Sequence, residues 1–68
     1  PGDAALHGQR GDALLALGRL PEAIAALREA TRFAPGDAVL WNSLGIAEER
    51  HGQLAAARAA WCQAIAVL

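Results

Sequence analysis

The sequence predicts an all-α fold made of two tandem helix-turn-helix repeats, four antiparallel helices in all. Three observations carry that prediction. The stretch "PGDA" at positions 1–4 returns at 35–38, so the chain restarts at its midpoint. Alanine, the best helix former, is the commonest amino acid, while there is no Tyr and only one Phe to support strands. Apolar residues recur at i, i+3, i+4 and i+7, the stripe of an amphipathic helix.

Overlaying the halves gives 13 identities in 34 positions, including Gly11/Gly45, Gly18/Gly52 and Leu20/Leu54. A fixed period of this length marks a repeat architecture. The expected units are 1–34 and 35–68, together one domain.

The first helix is predicted over 3–17. Asp3 opens it, its carboxylate accepting from free backbone N–H groups of the first turn. Gly18 closes it, because glycine takes the left-handed C′ conformation without a Cβ clash. The second helix is predicted over 21–33. Pro21 is tolerated in a first turn, and Glu22 meets the positive dipole end. Pro35 stops this helix and restricts Ala34. The third, over 37–51, repeats the Asp cap at Asp37 and the Gly stop at Gly52. The fourth, over 54–67, starts without a Pro, since Ala55 replaces Pro21. Connections this short force antiparallel neighbours.

The second helix carries Leu20, Ala23, Ile24, Leu27, Ala30 and Thr31 on one face. The fourth carries Leu54, Ala57, Trp61, Ala64, Ile65 and Leu68. The third carries Leu40, Leu44, Ala47 and His51. Expected core residues are Leu14, Leu20, Ile24, Leu27, Leu40, Trp41, Leu44, Leu54 and Trp61. Ile65 and Leu68 are expected to leave apolar surface open at the C-terminal end.

Composition excludes several classes of function. A hydrophobic content of 54% rules out a solvated disordered chain. The net charge is -1 and the charges are scattered, so no basic stripe collects phosphates and no nucleic acid is expected. The uncharged run 59–68 is too short to span a bilayer, and its helix lacks the basic face of a membrane-surface helix. Cys62 is the only cysteine, which excludes an internal disulfide and points to the cytoplasm. The chain opens on Pro1 rather than Met, as expected for a piece of a longer protein.

The residues resemble a known family. Trp41-Asn42-Ser43-Leu44-Gly45, followed by Gly52, Ala57, Trp61 and Ala64, is similar to the tetratricopeptide repeat. So are Gly11, Gly18, Glu22-Ala23-Ile24, Leu27, Ala30 and Pro35 in the first unit. The resemblance covers the whole chain and implies a right-handed α-solenoid fragment. Its departures are His7 and Arg10, where the family places Trp and Leu, and Glu48, where an aromatic is usual. Arg10 and Glu48 are therefore expected at loosely packed or solvent-facing positions.

No residue set suggests catalysis. His7, His51 and Cys62 lack metal-ligand spacing, and no metal or cofactor is expected. His51 suits the last turn of a helix as a cation. Glu48 and Glu49 point in different directions, so they read as a solvated helix face rather than an acid-base pair. Trp41 and Trp61 lie on core stripes rather than forming a base-stacking platform.

The expected function is a non-catalytic scaffold that binds a protein or peptide. The alternative is a substrate-presenting or assembly segment of a larger enzyme, such as a transferase or hydroxylase. The resemblance assigns ligand binding to a concave groove lined by the first helix of each unit. At 100° per residue, Val39, Asn42, Ile46 and Glu49 share a face about 150° from the core stripe. The groove residues expected are Val39, Asn42, Ile46, Glu49 and Arg50, with Ala5, Asp12 and Leu15 from the first unit. A carboxylate clamp is not expected, since Asn42 is the only matching residue and Asp12 repels an anion. Two repeats without a polar cap are expected to self-associate, by end-to-end stacking or by helix exchange.

Overall fold

The computed structural model describes residues 3–68; Pro1 and Gly2 lie outside that range. The described residues form four helices: α1 (Asp3–Ala16), α2 (Leu20–Phe33), α3 (Ala38–Arg50) and α4 (Leu54–Ala66). Two helix-turn-helix hairpins, α1–α2 and α3–α4, stack through a seam between α2 and α3. The fold is the all-α arrangement expected, and each helix end falls close to its expected position.

The turns within both hairpins have one construction. Gly18 and Gly52 sit at φ +80 and +83. Gly18 N–H donates to Leu15 O at 3.1 Å, and Arg19 N–H to Leu14 O at 2.9 Å. Gly52 and Gln53 repeat the pattern onto Glu49 O and Glu48 O at 3.0 and 2.8 Å. These are paired Schellman closures, which satisfy two otherwise orphaned carbonyls at each helix end. Between the hairpins, the Asp37 carboxylate accepts from Val39 N–H at 3.0 Å, capping α3 as expected. Trp41 closes the same connection by donating its indole Nε1–H to Pro35 O at 2.8 Å. Asp3 lies inside the first turn of α1 rather than ahead of it.

The core runs along the seam. Ile24, Leu27, Leu44, Ala47 and Ala60 form one buried cluster, with Leu15 and Trp41 packed against it. Leu27 is fully buried, so truncating it to Ala costs roughly 2–5 kcal/mol. Gly45 lets α4 come close: a Cβ there would stand 2.5 Å from Trp61 Nε1.

Several expected core residues are less buried than their helical stripes suggested. Leu14, Leu20, Leu40, Trp41 and Trp61 are half-buried, and Leu54 is 60% exposed. Leu54 is the first residue of α4, where the stripe has run past the end of the neighbouring helix. His51 is exposed as the residue after α3, so it does not extend the core stripe. Glu48 is the larger correction: it is buried to 3% exposure, neither loosely packed nor on a solvated face. Arg28 holds it from across the seam, its Nη2 3.2 Å from Glu48 Oε2.

Candidate interaction surface

Three grooves mark the surface of the described residues, and the repeat period relates them. The first, about 270 Å³, lies on the α1–α2 hairpin between His7, Arg10, Glu22, Ala25, Ala26 and Glu29. Their counterparts in the second repeat are Trp41, Leu44, Ala56, Ala59, Ala60 and Gln63, and all six line the second groove, about 500 Å³. That second groove has an extra wall from α2, made by Arg28, Thr31 and Arg32. It is the first groove with a preceding helix in place. In the first hairpin His7 stacks on Phe33 instead, with ring centroids 5.8 Å apart and planes within 4°.

The third groove, about 420 Å³, lies at the opposite end of the stack. Val39 and Asn42 form one wall; Trp61, Ala64, Ile65 and Leu68 form the other. No charged side chain lines it. The counterparts of Trp61, Ala64 and Ile65 on α2 are Leu27, Ala30 and Thr31, each at most 4% exposed because α3 packs over them. Ile65 and Leu68 have no such cover and stand 71% and 92% exposed. This is the open apolar end expected from the sequence.

The expected groove residues divide into two groups. Val39, 69% exposed, and Asn42 meet in the third groove, but their partners come from α4 rather than α1. Ile46 is half-buried, while Glu49 and Arg50 are exposed further along α3. From α1, Ala5 and Asp12 are exposed, whereas Leu15 is half-buried against the core cluster. None of these last six lines any of the three grooves. Sequence reasoning placed Trp61, Ala64, Ile65 and Leu68 on a core stripe and not in a groove. The signal that identifies them is positional: their counterparts in the first repeat lie at the seam, under α3.

Glu48 combines burial with incomplete pairing. Oε2 accepts from Arg28, and Oε1 is buried without a hydrogen-bond partner. An oxygen in that state costs about 1–3 kcal/mol. Arg32 is tied instead to Glu29 at 3.0 Å along its own helix. Among the described residues no group of three or more His, Cys, Asp or Glu could hold a metal ion, and no helix is long and apolar enough to cross a membrane.

A family profile described as Tetratricopeptide repeat matches residues 1–38 and again residues 9–68. The chain belongs to the tetratricopeptide repeat family. Proteins of this family are generally protein–protein interaction modules. The family's Trp-x-x-Leu-Gly segment here supplies Trp41, which closes the inter-hairpin connection, and Gly45, which admits Trp61. No curated protein and no solved structure gave a match.

Proposed function

We propose that this tetratricopeptide chain, with 1–34 and 35–68 as its units, is a non-catalytic module that binds a peptide or helix. The binding face is the outward side of α3, with Val39, Asn42, Ile46, Glu49 and Arg50, and its neighbour on α1, with Ala5 and Asp12; Leu15, expected beside them, packs against the core instead. The single observation supporting it is the apolar groove at Val39 and Asn42, which has no charged lining and is left open by the core. Apolar concavity fixes a partner's anchor side chain, and a few polar groups orient it. Here Asn42 offers a donor and an acceptor, while Glu49 and Arg50 flank the route toward the helix end. The partner is therefore a segment with an apolar anchor, a mixed-charge flank and no required phosphate.

The test begins with peptides selected against the chain from a random display library. Their dissociation constants are then measured against Asn42→Ala and Ile46→Asp. A loss of about tenfold or more, with helicity retained, supports the assignment. Unchanged affinity in both variants removes this face as the site.

A further inference from the structure

The second groove differs from the other two in what lies at its floor. Its walls are α2 and α4, which do not pack on each other among the described residues; α3 lies between them. Each helix contributes one stripe at helical spacing. Arg28, Thr31 and Arg32 come from α2, and Trp41, Leu44 and Glu48 from α3. The α4 stripe is mostly alanine, at Ala56, Ala59 and Ala60, and methyl side chains leave the space unfilled. The groove holds about 500 Å³, within the size range of pockets that take a small organic group.

Glu48 gives that space a chemistry. Its side chain is only 4% exposed, and Oε1 is buried with no hydrogen-bond partner in the protein. The donors around it are committed elsewhere. Arg28 serves Oε2 at 3.2 Å. The Thr31 hydroxyl donates to Arg28 O at 2.9 Å. Arg32 donates from Nη1 to Glu29 Oε2 at 3.0 Å. Trp41 gives its indole N–H to Pro35 O. One acceptor is therefore left for an occupant to satisfy. The first repeat has no such device, because the counterpart of Glu48 there is Leu14.

Charge decides what kind of donor fits. The ions at the groove are already paired, Arg28 with Glu48 and Arg32 with Glu29. A cation at Oε1 would stand beside the Arg28 guanidinium and would shed its hydration into an apolar groove. An anion would face the carboxylate. A neutral N–H group meets neither cost. The terminal torsion of a glutamate is soft, so the carboxylate can turn Oε1 to an occupant while Arg28 keeps the other oxygen. Apolar bulk with one N–H donor and no acceptor describes an indole, the uncharged side chain that donates without also accepting.

We propose that the second groove takes a tryptophan side chain of a partner protein, with the ring against Leu44 and the α4 alanines and the indole N–H donated to Glu48 Oε1. This goes beyond the peptide face: none of Val39, Asn42, Ile46, Glu49 and Arg50 lines this groove, so the two sites are tested on separate residues.

The probe is N-acetyl-tryptophanamide, an uncharged stand-in for a tryptophan within a chain. It is titrated into the isotope-labelled protein and followed by amide chemical shifts, which should move most at Leu44, Glu48, Ala59 and Ala60. The N-methylindole analogue lacks the donor and should bind roughly tenfold more weakly. Glu48→Leu puts an apolar group of similar size in place of the carboxylate, and it should bind the two compounds alike. Asn42→Ala should leave the tenfold difference in place. N-acetyl-argininamide, the cationic control, should bind more weakly than the tryptophan compound. No shift at these four residues up to the solubility limit of the probe overturns the proposal. So does equal affinity for the two indoles in the unaltered chain, a comparison that needs no variant to fold. A difference that survives Glu48→Leu with helicity retained, or tighter binding of the arginine compound, overturns it as well. Peptides selected for the α3 face should keep their affinity in Glu48→Leu, so failure of one site leaves the other standing.

Discussion

Arg28 on α2 reaches across the seam and holds Glu48 on α3 through one hydrogen bond, Nη2 to Oε2 at 3.2 Å. The pair is lopsided: the Arg28 side chain is 56% exposed and that of Glu48 only 4%. Arginine loses little hydration in forming it, so its chief effect is to keep a buried carboxylate from standing alone. Arg28→Ala is expected to destabilise the fold by about 1–3 kcal/mol, the range for leaving a buried acceptor unpaired. Glu48→Leu removes both the buried charge and the unpartnered Oε1, and is expected to be neutral or stabilising by about 1 kcal/mol. In the double variant the Arg28 effect should vanish. Urea denaturation of the four proteins, followed by circular dichroism, gives the coupling. Additive effects would show that the pair does not act as a unit.

Gly45 sets the distance between α3 and α4. Alanine would gain up to about 1 kcal/mol of helix propensity at an ordinary site. Here its Cβ meets three ring atoms of Trp61 between 2.5 and 2.8 Å. An indole cannot yield as a methyl group can, so overpacking outweighs propensity and Gly45→Ala should cost about 1–3 kcal/mol. Gly8→Ala meets only the terminal methyl of Leu40 at 2.8 Å, which rotates aside. Its net effect should lie within about 1 kcal/mol of zero, since propensity and crowding offset. Thermal melts of the two variants give the ranking, and equal losses would contradict it.

Gly52 and Gly36 separate conformation from space. Neither has an atom within 4 Å of an added Cβ, but only Gly52 has positive φ. Gly52→Ala should therefore lose about 1–2 kcal/mol through the left-handed backbone alone. Gly36→Ala should lose less or gain slightly, because alanine narrows the unfolded ensemble. Denaturant midpoints at constant m-value would show the difference.

Much of the fold was legible because turn chemistry and period are local. Gly18 and Gly52, Asp37 and Pro35 each act on their immediate surroundings, and the helix ends follow from them. Burial was less legible because a helical stripe says which side faces inward, not where the neighbouring helix ends. Leu54 and His51 lie on such stripes but beyond their cover. Glu48 was misread for a related reason: its partner Arg28 sits on another helix, across a seam that no periodicity describes. The candidate surface was half legible. Helical angles put Val39 and Asn42 on a free face, but its other wall is α4, which becomes apparent only when α4 is compared with the covered α2.

Among the described residues each helix packs chiefly against its sequence neighbours: α1 on α2, α2 on α3, α3 on α4, with a slight touch of α1 on α3. Few contacts among the described residues require distant parts of the chain to find each other first. Closing only short loops costs little entropy, which places the chain among the fast, low-contact-order folders on the microsecond-to-millisecond scale. The same wiring secures α4 by α3 and α1 chiefly by α2. Both α1 and α4 can undock while the α2–α3 seam holds, so amide exchange should be fastest at the two ends and slowest along Leu27 and Leu44. The helix that forms most of the open groove is thus also one of the two with least to lose by moving.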